Sequence, residues 1–399
     1  MRVVIAPDKF KGSLSASEVA RYLTAGLRVS AEQLGYPIEV VSIPVADGGE
    51  GTVDAAVGAG FERRTATVTG PTGRAMPASF AIRGTEAVIE MAAASGLEVL
   101  PDGVLAPLAA TSRGTGELVR AALDAGCRHI ILAIGGSAST DGGSGLLRGL
   151  GARLLATLLL HDEGAEIHDG GGALIELDRI DLSTLDSRLA DAHIVLASDV
   201  DNPLLGPAGA ATVFGPQKGA SGAEIIQLEA ALTHFVAVLG QSIGVHAFDA
   251  ATEAGAGAAG GVGYAALAIL GATRLPGINI VLEFTELEQR LAGADLVITG
   301  EGSLDHQSLG GKTPIGVAQA ATRAGIPVIA VCGRTTLDAH EVRDAGFQRV
   351  YSLTALEPDP DISMAQAGPL LERIGQQIGR RFAPRKLPAQ QSAEFHASG

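Results

Sequence analysis

Acidic residues beside glycines recur in this chain at the ends of strand-like segments. A carboxylate there can hold a metal ion or accept a proton, and the glycine lets a ligand approach the backbone. In an open α/β sheet, the ligand crevice lies beyond the carboxyl ends of the strands. Asp-Gly-Gly is also an ordinary turn sequence, and we interpret Asp169, which no strand-like run precedes, as a turn alone. The other acids predict a shared site: Asp8, Asp47, Asp141, Asp199 and Glu301.

Basic residues are scarce near these acids, although the chain carries a formal net charge of −15. Lys11, Arg113, Lys218 and Lys312 lie in polar loops that contain glycine or proline. A lysine in a loop is commonly no more than a solvated charge. In so acidic a protein, however, a pocket for an anionic ligand needs local positive groups or Mg²⁺. The four cations are therefore candidates for binding an anion.

Three glycine-rich segments could cradle an anion. GGSASTDGGSG at 135–145 directly follows a strand-like run and opens a helix, so its backbone amides could hold phosphate or carboxylate oxygens. GAGAAGG at 255–261 satisfies G-x-G-x-x-G, but no convincing strand precedes it, which favours a helix start over a dinucleotide fingerprint. SLGGKT at 308–313 is not a P-loop, because His306 stands where the first glycine is required.

Composition excludes several classes of protein. A chain with 46% hydrophobic and 18% charged residues can bury a core. Its negative charge, 4% aromatic content and lack of tryptophan argue against nucleic acid as a partner. The longest apolar run, at 154–160, is too short for a membrane span, and the amino end lacks a signal-peptide core. Cys127 and Cys332 are predicted to be buried free thiols. We therefore expect a cytoplasmic protein with no membrane partner.

Alternating strands and helices at both ends of the chain predict a parallel sheet. The strand-like segments are 2–6, 39–45, 295–299, 327–331 and 349–353. Between them the pattern changes: residues 61–91 alternate as hairpin strands do, and an amphipathic helix covers 225–239. The sequence thus predicts an α/β domain from residues 1–70 plus 286–384, an inserted α/β domain from 71–285, and a flexible tail from 385–399.

Taken together, these loops resemble those of the bacterial glycerate kinases, which phosphorylate glycerate with ATP. The resemblance extends from Met1 to about Arg381. It rests on eight motifs in order: APDKFKGSLSASEVA (6–20), PVADGGEGT (44–52), IEMAAASGL (89–97), GGSASTDGG (135–143), DVDNPLLG (199–206), FGPQKGA (214–220), GAGAAGGVG (255–263) and TGEGSLDHQSLGGKTPIGVA (299–318).

The resemblance implies a flavodoxin-like domain with an inserted domain of restriction-endonuclease-like topology, ATP as phosphoryl donor, Mg²⁺, and 2-phosphoglycerate as product. In the implied site, Asp141 and Asp199 bind the metal ion and Lys11 contacts the transferring phosphoryl group. Asp47 or Glu301 orients the attacking hydroxyl. The implied catalytic residues are therefore Lys11, Asp47, Asp199 and Glu301. The implied substrate-binding residues are Arg113, on the glycerate carboxylate, with Ser137, Asn202 and Lys218; the implied nucleotide-binding residues are Gly135, Gly136, Gly257, Gly260, Gly261 and Lys312.

The chain departs from the family pattern in three places. Position 9 is lysine, where the family usually has serine. Ser139 and Thr140 replace the usual Thr-Asn, which removes an amide from that loop. About five extra residues are expected around 156–164, where relatives have a short turn.

Two other functions are compatible with parts of the sequence. Asp199 and Asp201, separated by one residue after a strand, are typical of metal-dependent phosphohydrolases that also use a parallel sheet. A non-catalytic sensor of organic acids or nucleotides is the second alternative. Such sensors normally carry an output module, and the sequence shows no separate basic or DNA-binding segment.

Overall fold

The computed structural model describes residues 1–156 and 165–384. The predicted insertion around 156–164, apart from its first residue, and the predicted tail lie outside the described residues. Fourteen described strands are β1 (Arg2–Pro7), β2 (Glu39–Ser42), β3 (Glu62–Thr69), β4 (Ala75–Arg83), β5 (Glu86–Glu90), β6 (His129–Ala133), β7 (Arg153–Ala156), β8 (Ala165–Glu166), β9 (Arg179–Asp181), β10 (His193–Ala197), β11 (Thr273–Leu275), β12 (Leu296–Leu304), β13 (Val328–Thr335) and β14 (Arg349–Ser352).

Fifteen described α-helices connect and cover these strands. They are α1 (Ala16–Leu34), α2 (Thr52–Gly58), α3 (Ala92–Ser95), α4 (Arg113–Asp124), α5 (Ser144–Gly149), α6 (Ala210–Phe214), α7 (Gly222–Ile243), α8 (His246–Thr252), α9 (Val262–Ala268), α10 (Gly277–Phe284), α11 (Leu287–Arg290), α12 (Thr313–Arg323), α13 (Ala339–Asp344), α14 (Pro360–Ala365) and α15 (Ala367–Arg381). The predicted capping box from Ser15 to Glu18 is present and starts α1.

Strands from both ends of the chain form the first sheet, in the order β14-β13-β12-β1-β2, and every neighbouring pair is parallel. Numbered by their sequence within this sheet, the strands run 2-1-3-4-5, which is the flavodoxin-like order. Helices α1 and α15 pack on one face, and α10 and α12 pack on the other. Burial on both faces explains why the strands are continuous apolar runs. The predicted parallel sheet is confirmed.

The second sheet has the order β11-β10-β6-β5-β4-β3. Strands β3, β4 and β5 pair antiparallel, as the alternation over 61–91 predicts, while β5, β6, β10 and β11 are parallel. Strand β3 belongs to the second sheet, because it pairs with β4 along its whole length. Both predicted domain boundaries and the restriction-endonuclease-like topology stay predictions.

The two sheets share part of one hydrophobic core. Val4 and Ala6 of the first sheet belong to the same buried cluster as Val88, Ala133 and Ala197 of the second. The loops that follow β2 and β6 also meet: the Gly135 amide donates to the Gly48 carbonyl over 3.3 Å. A Cβ on Gly135 would lie 2.5 Å from Gly49 Cα, so only glycine permits this approach. The carboxyl ends of strands from both sheets therefore lie side by side.

Helix α7 is the one described helix that is long and apolar enough, by length and composition, to cross a membrane. Its buried face includes Leu228, Leu232, Phe235 and Leu239, and these side chains pack into the main core of the second lobe. That packing matches the amphipathic helix predicted for 225–239. Both cysteines are buried and free, as predicted.

Candidate functional site

The largest cavity at the edge of the first sheet follows the carboxyl ends of its strands and has a volume of about 760 Å³. It begins between β1 and β12, where the strand order of the sheet reverses, and such switch points are the usual ligand sites of open α/β sheets. Seven of the residues predicted from the sequence line it: Asp8, Lys11, Asp47, Gly135, Gly136, Glu301 and Lys312. Residues that are far apart in the chain thus share one site.

Asp47 lies near three other carboxyl groups, those of Asp8, Asp199 and Glu301, whose pKa values are raised. Burial raises the pKa of Asp8 to about 8, and the negative charge of Asp47 adds to this. Burial likewise raises the pKa of Asp199 to about 6 and that of Glu301 to about 7, again with Asp47 contributing. Nearby Lys312 opposes the shift at Glu301. Carboxyl groups crowded in this way favour a bound cation, which would relieve their repulsion.

The described residues contain no ready-made group of three or more side chains that could hold a metal ion. Mg²⁺ does not require one, because it keeps several waters and commonly uses one or two carboxylates with substrate phosphates. Asp47 lines the cavity and Asp199 does not. The two carboxylates still fit that arrangement, because the negative charge of Asp47 contributes to raising the pKa of Asp199.

Asp8 belongs to the site, although it was not among the residues assigned a role. Its Oδ2 accepts a hydrogen bond of 2.9 Å from Thr313 Oγ1, and its Oδ1 accepts one of 2.6 Å from the Lys9 amide. These bonds join the end of β1 to the start of α12. The signal was present in the sequence, because Asp8 directly follows the first strand.

Glu90 is an acid that the sequence analysis did not single out. It ends β5 and is 6% exposed, and its Oε2 accepts hydrogen bonds from the Gly51 and Val53 amides over 3.0 and 3.1 Å. Burial raises its pKa to about 7. It lines a smaller cavity of about 380 Å³ next to the first. The sequence analysis interpreted residues 61–91 only as hairpin strands, and it therefore did not identify Glu90 as an acid at the end of a strand.

Lys11 lies between the two cavities and lines both. The neighbouring Lys9, which departs from the family pattern, pairs with the Glu50 carboxylate and donates to the Glu50 carbonyl over 3.1 Å. It also lowers the pKa of Asp8 and of Glu90 relative to burial alone. Lys9 thus ties the loop after β1 to the loop after β2.

The two acids of the Asp-Val-Asp segment have different surroundings. Asp199 accepts a hydrogen bond of 2.9 Å from the Gly277 amide and senses Asp47. Asp201 is 81% exposed and pairs with Arg274 over 2.5 Å. A phosphohydrolase site built on both carboxylates gains no support from this arrangement.

Asp141, predicted as a metal ligand, is fully buried and does not line the cavity. Its carboxylate already accepts four hydrogen bonds: from the Ser112 amide and hydroxyl, each 2.8 Å, and from the amides of Gly143 and Gly145 at 3.1 and 3.2 Å. A metal ion would have to displace these donors. The placement gives Asp141 a structural role, holding α4 to the start of α5.

Lys218 is 1% exposed, and it stabilises the loop 135–145 through hydrogen bonds. Its Nζ donates to Ser137 Oγ over 2.8 Å and to the Ser139 carbonyl. Burial lowers its pKa to about 7, and the negative charge of Asp141 partly offsets this. Neither Lys218 nor Ser137 lines the cavity, so their predicted contact with substrate is not supported.

The glycines of 255–261 serve close packing. A Cβ on Gly260 would lie 2.1 Å from the Ser139 carbonyl oxygen, one on Gly261 would lie 2.5 Å from Gly142 Cα, and one on Gly257 would lie 2.2 Å from the Pro203 carbonyl oxygen. Gly260 and Gly261 thus pack against the loop 135–145 and Gly257 packs against Pro203, and none of the three lines the described cavity. The predicted nucleotide contacts at Gly257, Gly260 and Gly261 therefore lack support.

Two other predicted substrate ligands also lie outside the cavity. Arg113 is held by Glu117 and Asp169, with nitrogen–oxygen distances of 3.3 and 3.6 Å. Asn202 Nδ2 donates to the Ala208 carbonyl over 2.8 Å. Asp169, interpreted as a turn, is in fact an ion-pair partner, because it also binds Arg148 over 2.6 Å. Sequence spacing did not show these partners.

The buried Lys218 predicts a specific pH dependence of stability. Its pKa is about 7 when folded and 10.5 when unfolded. Between these values the unfolded chain binds a proton that the folded chain lacks, so this group makes the free energy of unfolding rise with pH, by about 1.4 kcal/mol per pH unit at most. Lys218→Met should lose this component.

Denaturant unfolding of the wild type and the variant from about pH 7 to about pH 10 measures the difference between their free energies of unfolding. That difference should grow with pH. Lys11→Met, which changes an exposed lysine outside the buried network, is the control and should retain the rise. A constant difference between wild type and Lys218→Met would contradict the assignment of a depressed pKa.

The fold and the cavity together define an α/β protein of two sheets with a candidate ligand site at a switch point of the first sheet. The glycerate kinase family model matches residues 3–383. Glycerate 2-kinase of Escherichia coli (strain K12) is 49% identical over 88% of this chain and 90% of its own length. Glycerate kinase of Bacillus subtilis (strain 168) is 45% identical over 95% of this chain and 97% of its own length.

A solved structure assigned as glycerate kinase 2 of Salmonella typhimurium LT2 matches with a TM-score of 0.78. It is 44% identical and the match covers 96% of this chain and 98% of that one. The chain belongs to the glycerate kinase family and is an enzyme. The resemblance found in the loop motifs is confirmed.

Proposed function

We propose that this enzyme transfers the γ-phosphoryl group of ATP to a hydroxyl of glycerate, with Mg²⁺, to give 2-phosphoglycerate. The observation that carries the proposal is the convergence of Lys11, Asp47, Glu301 and Lys312 on one cavity at the switch point of the first sheet. The Escherichia coli relative, named a glycerate 2-kinase, supports the choice of product. We also propose that the enzyme acts in the cytoplasm.

Lys11 is proposed to neutralise the transferring phosphoryl group. It lines both cavities, so its ammonium lies where a nucleotide in the larger cavity and glycerate in the smaller one would meet. Phosphoryl transfer asks the protein mainly for positioning and for charge stabilisation. Lys312 and the backbone of Gly135 and Gly136 would hold other phosphate oxygens, since they line the larger cavity.

Asp47 and Asp199 are the residues proposed to hold Mg²⁺. When bound, the ion would supply positive charge to the phosphate oxygens. Both carboxylates lie at the carboxyl edges of the two sheets, and each interacts with the charge of the other. Asp141, whose oxygens are fully hydrogen-bonded, is not part of this proposal.

Glu301 is proposed to orient the attacking hydroxyl and accept its proton. Its Oε1 is buried and has no hydrogen-bond partner in the described structure. Its pKa of about 7 lets it take up a proton near neutral pH. Glu301 lines the cavity, and its carboxylate is therefore proposed to reach a substrate hydroxyl there.

The test is a coupled assay of the purified enzyme with glycerate, ATP and Mg²⁺, followed by ³¹P NMR of the product. We expect ADP and 2-phosphoglycerate, with turnover abolished by EDTA and restored by excess Mg²⁺. Free phosphate formed from ATP without glycerate at the same rate would instead support a phosphohydrolase. Binding of both ligands without turnover would support a sensor.

A further inference from the structure

We infer that the segment from Leu353 to Ala367 forms the nucleoside-binding wall of the larger cavity, where the base and ribose of ATP lie. The inference rests on the proposed function, which supplies ATP as a ligand but no place for its base. The wall consists of the residues after β14 and in α14 and α15 that line the cavity: Leu353, Thr354, Pro360, Ser363, Met364 and Ala367.

The order of strands gives the cavity a direction. Asp8 follows β1, Glu301 lies in β12, Arg334 lies in β13 and Leu353 follows β14, and all four line the cavity. These strands are consecutive neighbours in the sheet. Strands lie about 4.8 Å apart, so β1 and β14 are roughly 14 Å apart. The cavity therefore extends along the edge of the sheet, as an extended nucleoside triphosphate requires.

Charge is distributed unevenly along this direction. The β1–β12 end carries Lys11 and Lys312 together with the acids Asp47 and Glu301, which suits phosphates and a metal ion. The six wall residues at the β14 end have no charged side chain. A triphosphate at one end thus directs the rest of the nucleotide to the other.

The wall has an apolar surface with hydroxyls beside it, which is the usual environment of a nucleoside. Leu353 and Ala367 are almost fully buried, while Met364 is 49% exposed and lines the cavity. A methionine thioether packs well against an aromatic ring. Glycerate has no comparable apolar face, so this end does not suit the acceptor.

The wall is tied to the loop that carries Lys11. Ser13 Oγ donates to the Met364 carbonyl over 3.2 Å. Gly12 has a positive φ of 74°, and a Cβ there would lie 3.4 Å from Met364 Cε. A base on the wall and a phosphoryl group at Lys11 are therefore held by one connected segment, which fixes their separation.

The chain has no tryptophan, so Met364→Trp creates a single fluorescent reporter at the wall. The exposed position of Met364 allows the substitution. We expect ATP and ADP to change the tryptophan emission saturably, and inorganic triphosphate or glycerate to leave it unchanged. Phe248→Trp, on α8 and 50% exposed in the native chain, is the matched control and should not respond.

Met364→Glu provides an independent measurement. A carboxylate at the wall should raise the KM for ATP at least tenfold and change the KM for glycerate less than twofold. If the wild type phosphorylates glycerate with ATP but neither the emission of Met364→Trp nor the KM of Met364→Glu responds, the nucleoside wall is wrong. If the wild type shows no such turnover, the proposed function itself fails.

Discussion

Replacing Lys11 by methionine should lower kcat/KM for glycerate about a hundredfold or more. Lys11 lines both cavities, and removing one positive group from a transition state that develops charge typically costs several kcal/mol. Methionine keeps the length of the side chain and loses only the charge. Steady-state kinetics at saturating Mg²⁺, with folding checked by circular dichroism, measures the loss.

Two variants show whether the charge of Lys11 is the cause. Lys11→Arg should recover part of the activity, because the positive charge remains. Lys9→Met alters the neighbouring lysine, which is paired with Glu50, and should cost much less. A change of less than threefold in Lys11→Met would remove Lys11 from the mechanism.

Asp47→Asn should lower kcat about a hundredfold and raise the concentration of Mg²⁺ needed for half-maximal rate. The substitution preserves shape, and the hydrogen bond of 3.2 Å from the Gly49 amide to Oδ1 can persist. What it removes is the negative charge proposed to attract the metal ion. Rates measured across a Mg²⁺ titration, for wild type and variant, separate weak metal binding from slow transfer.

Asp201→Asn is the matched control for Asp47→Asn. Asp201 follows Asp199 by two residues but is 81% exposed and bound to Arg274, so its loss should change kcat less than threefold. An equal effect of both substitutions would revive the phosphohydrolase interpretation. An unchanged Mg²⁺ requirement in Asp47→Asn would exclude this carboxylate from the metal site.

The acids at strand ends were predictable because both the strands and the glycines beside them are visible in the sequence. Asp47 and Glu301 were identified in this way and share the cavity with Lys11 and Lys312. The same rule also marked Asp141, yet its four hydrogen bonds place it in the core of the second lobe. The sequence shows that an acid follows a strand, but it does not show which hydrogen-bond donors contact its carboxylate.

The sequence by itself determined the parallel sheet from both chain ends and the family, and it predicted several residues that line the cavity, such as Asp47 and Glu301, because strand periodicity and loop motifs are local properties. Tertiary structure alone decided that Lys218 stabilises a buried loop, that Arg113 is held by acids, and that an apolar wall continues the cavity to β14. Those outcomes depend on which segments pack together, because burial and pairing between residues distant in the chain, such as Lys218 with Ser137 and Arg113 with Asp169, leave no local pattern in the sequence.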